Sequence, residues 1–526
     1  MNTTQQSLQL LYVSDPSSIA LNHLPDPVTE SDLRRWMDTV ADAGIDTFCQ
    51  EVFSQGWTAY FRSGSADYEY DQRRQHQRFL PLLEADTVPL QVLADQCHQR
   101  GLRFTAGFRM NDGHAHQARA QGLSIARFIK RHPELQLTDF PDGEYYKLSE
   151  PLDFSHAAVR DFTFRIIEEV VDRFAVDGIE LCFRDHAYFP PNCGTERGQL
   201  MTELMQRLRQ HLGVVPIGVR VFSTIEECVH LGLDVPTWVK DDLIDYVSPQ
   251  DTMYNDFHLP LQQWAAVTDS AECALVPTLL PWTSLRSRGR LDQIPLSEAN
   301  ARALAHTSLA VGAEGLAIYN HFCTYWHAPF YPQHLFALRQ LSDAARVAAG
   351  DRHYVFDPTW DRMTGFGREG ATSTGTLKAP RLVLERGRRP STGEYLFCLY
   401  EDLQAVAGAT LLFRGFHLTE DDQLEVRING HLVPEENIRR TRASDVPPDW
   451  DHTMSVGDQR FKAIPEQGRI DFREEGEPPF STRWFSLEES WLVQGENRLA
   501  LTLAVSAPGA EDSIEIDEVE VWVSPR

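Results

Sequence analysis

LDFSHAAVRDFTFRIIEEVVDRFAVDGIELCFRDHAYFPP, residues 152–191, is the stretch on which the fold turns. Within it, VRDFTFRIIEEVVDRF (159–174) repeats its apolar residues at helical spacing, and after a short break GIELCFRD (178–185) reads as a buried strand. A helix that feeds a short apolar strand is one step of a β/α alternation, and the chain repeats that step on both sides. Upstream lie LQLLYV (8–13), a helix over 30–43 ending at Gly44, DTFCQEVF (46–53), a helix over about 89–100 closed by Gly101, and RFTAGFRMND (103–112). Downstream come a helix near 196–211, PIGVRVF (216–222), IDYVSPQD (244–251), ALVPTLLPW (274–282), a helix over SEANARALAHTSLAVG (297–312), GLAIYNHF (315–322) and a last helix over 333–349. Eight β/α units repeating so evenly predict an α/β fold, a closed (β/α)8 TIM barrel, over residues 1–350.

Beyond about 355 the period changes from helical to two. GEYLFCLYE, ATLLFRGF, QLEVRING, NRLALTLAV and IEIDEVEVWV alternate apolar and polar residues between Gly, Pro, Asp and Asn clusters. This pattern predicts an antiparallel, jelly-roll-like β-sandwich over 390–526, with 351–389 serving as a linker or as its first strands. The phrases GENRLALTL and IEIDEVEVWV resemble the closing strands of galactose-binding-like jelly rolls.

Charge and composition bound the partners. A formal charge of −27 over 526 residues leaves no basic surface to neutralise phosphates, so nucleic acid is not an expected partner, and an anionic membrane is disfavoured. The N-terminal MNTTQQSLQLLYVSDPSS lacks the basic and apolar regions of a secretory signal, which makes the cytoplasm the expected compartment. The eight cysteines are scattered without a CxxC pair and several sit in apolar runs, favouring buried thiols over disulfides or zinc. A homo-oligomer is compatible with the sequence.

In a β/α barrel the chemistry gathers at the C-terminal ends of the strands, and alternation along each strand says which side chains enter the interior. In GIELCFRD, Ile179, Leu181 and Phe183 suit the layer under the helices, which turns Glu180, Cys182 and Arg184 inward. The same parity puts Arg109 and Asn111 inside with Asp112 at the rim, and brings Glu51 and Arg220 inward. Inward charges must be paired, so Glu51, Arg109, Glu180, Arg184 and Arg220 are expected to form a network. Such a network can be purely structural, or it can hold substrate hydroxyls and tune a catalytic carboxylate. Asp177 precedes its strand and is expected to cap a turn at the opposite face. His114 and His116 follow Asp112, but three potential ligands within five residues of one loop make a weak metal pattern without a separate fourth group, and neither metal nor cofactor is expected. Gln250, Asp251, Trp282, Asn320, His321, Tyr325 and Trp326 fall at strand ends on the same face, where rings and amides suit sugars.

The run 152–191 resembles the glycosyl-hydrolase-like family 10 barrels, which carry a "VRD…DGIELD" helix–strand pair. RMNDGH (109–114) resembles that group's third-strand motif, and GLDVPTWVKDDLIDYVSP (232–249) its fifth-to-sixth-strand passage, so the likeness extends over about 5–350. It implies a glycosidase. Two positions depart from the pattern: Cys182 stands where relatives place an acid, and Arg184 stands where chitinase-like barrels end DGxDxDxE on their catalytic glutamate. Paired-carboxylate chemistry then rests on Glu180 with Asp112 or Asp185 as catalytic candidates, Glu51 and Asp251 in reserve, and His114 as a hydroxyl-binding residue. Two other readings remain open here: a saccharide-binding barrel without catalysis, and a lyase acting on an acidic sugar, the latter motivated by the inward arginines.

Overall fold

The computed structural model describes residues 8–15, 24–54, 57–58, 60–72, 74–112, 122–123, 125–137, 151–184, 187–251, 255–281, 296–319, 333–356, 359–361, 376–378, 381–442, 453–456, 459–462 and 480–526. Eight parallel strands alternate with helices over the first part of the chain: β1 (Gln9–Ser14), β2 (Thr47–Ser54), β3 (Arg103–Arg109), β4 (Gly178–Cys182), β5 (Ile217–Val221), β6 (Tyr246–Pro249), β7 (Ala274–Leu275 continued by Thr278–Leu279) and β8 (Gly315–Tyr319). Each strand pairs with the next, and β1 also pairs with β8, Leu11 opposite both Thr47 and Ala317. The seventh strand differs from the continuous run its sequence suggests. Pro277 has no N–H to donate, so the strand breaks there. Its first half pairs with β6 and its second half with β8, and this exchange of neighbours closes the ring.

Five helices stand at predicted positions, α1 (Glu30–Asp42), α2 (Pro89–Gln99), α3 (Ala157–Arg173), α4 (Glu196–Leu212) and α7 (Glu298–Ala310), whereas α5 (Val235–Lys240) and α6 (Leu261–Thr268) are short helices outside those predictions. Thr29 and Ser297 start α1 and α7 with reciprocal side-chain caps to Asp32 and Asn300. The expected single helix over 333–349 is instead two short helices, Gln333–Leu338 and Ala344–Ala349, because Asp343 accepts from the backbone of Ala345 and Arg346 and starts the chain afresh.

One device recurs at the N-terminal face. Asp46, Asp177, Asp245 and Glu314 each stand just before an even-numbered strand and accept from the first N–H groups of the preceding odd strand: Leu10, Phe104, Ile217 and Leu275, at 2.7–2.8 Å. Four carboxylates thereby satisfy strand-end donors on the face opposite the mouth. Asp177 also meets His98 Nε2 at 2.8 Å, in keeping with the capping role its position suggests.

The last part of the chain is an antiparallel sandwich. One sheet holds β9 (Arg352–Phe356), β10 (Leu382–Leu384), β12 (Val406–Phe416), β14 (Arg439–Arg442), β15 (Phe480–Leu487) and β17 (Ile514–Pro525); the other holds β11 (Ser391–Leu399), β13 (Gln423–Ile428) and β16 (Gly495–Val505). Tyr354, Phe356, Phe397, Leu411, Phe413, Leu499, Leu501 and Val521 fill the space between them. Thus part of 351–389 is strand, and β9 pairs with the final strand β17. The sandwich rests on α7 and the loop before α6. Asn300 donates to His353 O at 2.8 Å, Phe257 packs edge-on to Tyr354, and Glu401 takes both arms of Arg352 at 2.7 and 2.8 Å, with His306 of α7 3.7 Å away.

Candidate functional site

Inside the barrel the alternation read from sequence holds: Leu11, Val13, Cys49, Leu280, Ala317 and Tyr319 form one small interior cluster with Tyr246 and Val276. Two glycines make room for larger side chains beside them. A Cβ on Gly107 would lie 3.0 Å from Glu51 Cγ, and one on Gly218 would lie 1.8 Å from the Tyr246 ring. The chain therefore places Gly on β3 and β5 where Glu51 and Tyr246 cross the interior.

The charges run in sequence from the middle of the barrel to its mouth. Glu180 lies at mid-strand, with Oε2 receiving the Tyr246 hydroxyl at 3.1 Å and Oε1 2.8 Å from Arg220 Nη2. The same Arg220 nitrogen donates to Glu51 Oε1 at 2.7 Å, and Glu51 Oε2 accepts from Arg109 Nε at 2.8 Å. Above them Arg109 donates to the Tyr319 hydroxyl at 2.6 Å, pairs closely with Asp15, and lies 3.8 Å from Asp112. Glu51, Glu180 and Arg220 are fully sealed from solvent, while Arg109 retains 8% exposure and Asp15 6%. The depth of Glu180 thus differs from that of Arg109: its register partners Gly107 and Gly218 lie two residues below Arg109 and Arg220.

Burial alone would pull the Arg220 guanidinium down, but Glu180 foremost, with Cys182, Glu51 and Tyr319, holds it well above its ordinary value. Its charge is permanent. Burial, then the charge of Glu180, pushes the Tyr246 hydroxyl well up, which keeps it a proton donor to that carboxylate. Burial likewise raises Tyr319 and the Cys49 thiol, so neither ionises near neutrality.

Arg184 stands apart from this network, contrary to the expectation that it would join it. The strand ends at Cys182, and the Arg184 side chain lies over the Phe222 ring, 4.7 Å from its centre, with Nε 3.3 Å from Asp251 O. Asn111 is inward but committed to the backbone, donating to Leu152 O and Ala187 O and accepting from Leu152 N, so it fastens the loops after β3 and β4. Gln250 and Asp251 are buried at the end of β6 and border a recess with Asn255 and Thr278. His114, Asp185, Trp282, Asn320 and His321, with His116, Tyr325 and Trp326, lie outside the described residues. Sequence reasoning missed Asp15, Tyr319 and Tyr246. All three follow the inward parity of their own strands, and Asp15 is the acid directly after β1, so the signal was present and unused.

Among the described residues one trio could hold a metal ion, Glu168, Asp172 and His211, on α3 and α4 in the outer helical layer. Seven cysteines are described and all are free thiols, five of them buried. No helix among the described residues is long and apolar enough to cross a membrane.

Residues 17–207 match the family described as Glycosyl hydrolase-like 10. The matched segment takes in β2, β3 and β4 and both motifs at 109–114 and 152–191, whereas the passage 232–249 lies beyond it. No curated protein matches the chain. Among solved structures, a cycloisomaltooligosaccharide glucanotransferase from Paenibacillus sp. is 11% identical at a TM-score of 0.34, covering 97% of this chain and 57% of that one. The PgaB (BpsB) glycoside hydrolase domain from Bordetella bronchiseptica is 12% identical at 0.42, covering 64% and 99%, and a maltogenic α-amylase from Thermotoga neapolitana is 9% identical at 0.38, covering 95% and 99%. The chain thus spans little more than half the length of the first of these. At such identities and scores, none of the three bears on what this chain binds.

Proposed function

We propose, from the match of residues 17–207 to the glycosyl hydrolase-like 10 family, that the C-terminal mouth of this barrel cleaves a glycosidic bond. The observation that carries the reading is the Arg109 hub: one buried guanidinium at the end of β3 that gathers Asp15 and Asp112 above it and Glu51 below. Glycoside hydrolysis calls for two carboxyl groups, one to protonate the leaving oxygen and one to attack the anomeric carbon or activate water. Asp112, beside a permanent cation, suits the second role. Asp251, at the end of β6 across β4 and β5, suits the first: its proton passes to the glycosidic oxygen as the C–O bond breaks. Glu180, closed in beneath, sets the charge under Arg220 and reaches the reaction through Arg220 and Glu51, as a positioning residue.

The test is a panel of aryl glycosides assayed with wild type, Asp112→Asn and Asp251→Asn. Each variant should lose turnover by about a hundredfold or more, the scale of a general acid or base, while its melting temperature stays within a few degrees of wild type. Wild-type turnover in both variants would refute the assignment. A second reading, saccharide binding without cleavage, is favoured by Cys182, which occupies the inward register between Arg109 and Arg220 and gives β4 no carboxylate at that level. Binding of sugars by a protein inert on the whole panel would select it.

A further inference from the structure

The three arginines at the top of this barrel are not alike. Arg109 and Arg220 each hold two carboxylates or more. Arg184 is equally buried, at 4% exposure, yet no described carboxylate lies within ion-pair distance of it. Among the described residues it meets the backbone oxygen of Asp251 and the face of Phe222, and its Nη1 has no hydrogen-bond partner there. In the residue that precedes Asp251, a second buried atom has no partner among the described residues. The side-chain Oε1 of Gln250, adjacent to Asp251, is buried without a partner, and Gln250 is held beside β5 by its own N–H to Val221 O. A terminal amide can present either its oxygen or its NH2 at such a place.

A desolvated guanidinium that no described carboxylate neutralises is costly, and at the mouth of a candidate site it suits an anion that arrives from outside. The chain carries a formal charge of −27, so the general field repels anions, and a dedicated local cation is what would admit one. The planar fork of arginine matches a carboxylate with two parallel N–H donors, and the Gln250 amide can add a third. We propose that Arg184, with Gln250, receives a carboxylate on the substrate, so that the saccharide taken by this barrel is a uronic acid. This rests on the carbohydrate reading above and adds the class of sugar to it.

The experiment uses the full chain, wild type and Arg184→Met, titrated with D-galacturonate, D-glucuronate, D-galactose, D-glucose and glucose 6-phosphate and followed by saturation-transfer NMR and thermal shift. Wild type should bind the uronates in preference to the neutral sugars, and Arg184→Met should weaken uronate binding by about tenfold or more while leaving neutral-sugar binding unchanged. Without ligand, Arg184→Met should melt at or above the wild-type temperature, since an uncompensated buried charge is removed and its stem over Phe222 is replaced by a side chain of similar reach. A residue serving only as packing would show the opposite shift. Equal binding of neutral and acidic sugars, or uronate binding unaffected by Arg184→Met, overturns the inference and leaves the carbohydrate site standing. Preference for the sugar phosphate overturns the carboxylate assignment. Failure of every sugar to bind overturns the carbohydrate reading itself, and this inference with it. Gln250→Ala, which leaves the guanidinium in place, should weaken uronate binding less than Arg184→Met does.

Discussion

Replacing Glu180 with Gln separates a buried counter-charge from a catalytic acid, because the two roles move different observables. The substitution keeps the shape of the side chain and removes its charge. In the folded protein the carboxylate faces Arg220 at 2.8 Å and the Tyr246 hydroxyl at 3.1 Å, with Glu180 and Arg220 sealed from water. Breaking a buried pair by removing one partner costs about 3–5 kcal/mol, because the remaining charge is left uncompensated. Here Arg220 keeps Glu51 at 2.7 Å on the same nitrogen, and the new amide oxygen still accepts one hydrogen bond. The loss should therefore fall below that range, at about 2–3 kcal/mol. For a barrel of about 350 residues that corresponds to a fall of roughly 3–4 °C in melting temperature. Urea unfolding followed by tryptophan fluorescence reads it, and a double variant with Arg220→Met should recover part of the loss, because the stranded cation is then gone as well. An unchanged urea midpoint for Glu180→Gln, or strictly additive losses in the double variant, would refute the account of Glu180 as the counter-charge of Arg220. If the variant melted like wild type and lost turnover about a hundredfold, Glu180 would be touching the substrate after all.

Gly218→Ala should cost about 1–3 kcal/mol or more in urea unfolding, because its Cβ would meet the Tyr246 ring at 1.8 Å, and Tyr246→Leu should relieve part of that cost; an innocuous Gly218→Ala would mean that Tyr246 does not cross the barrel there. Glu401→Gln leaves Arg352 without the carboxylate that now holds it at 2.7 and 2.8 Å, so a loss of about 3–5 kcal/mol is expected, with the barrel and sandwich transitions drawing apart in calorimetry; coincident transitions at the wild-type temperature would contradict the role of this pair at the junction. Burial lowers His258, His306 and His353 below their ordinary value of 6.5, so the folded state binds fewer protons than the unfolded one as pH falls through that value. Stability should then be full above about pH 7 and decline progressively as pH falls below 6.5, which melting temperatures between pH 7.5 and 5 will show; a flat profile would mean that these imidazoles titrate normally.

The barrel and the sandwich are legible in the chain alone, because both are written in periodicity. The helical spacing of 159–174 and the short apolar run of 178–182 need no distant contact to be recognised, and parity along β4 alone turned Glu180 inward and Leu181 outward. The same rule, applied to β1, β6 and β8, would have found Asp15, Tyr246 and Tyr319 as well. Tertiary structure decided what periodicity cannot carry. That Pro277 divides the seventh strand between two neighbours depends on where β6 and β8 stand. That Asp46, Asp177, Asp245 and Glu314 cap alternate strands at one face, while Asp15 and Asp112 gather on Arg109 at the other, depends on which strand end each acid happens to follow. Arg184 shares the parity of Glu180 and Cys182, yet its strand has ended by then, and its side chain turns over Phe222 to the backbone of Asp251. Alternation holds only as long as the ladder does, so the residues just past a strand's last pair, where the chemistry of a barrel lies, are set by their neighbours in space.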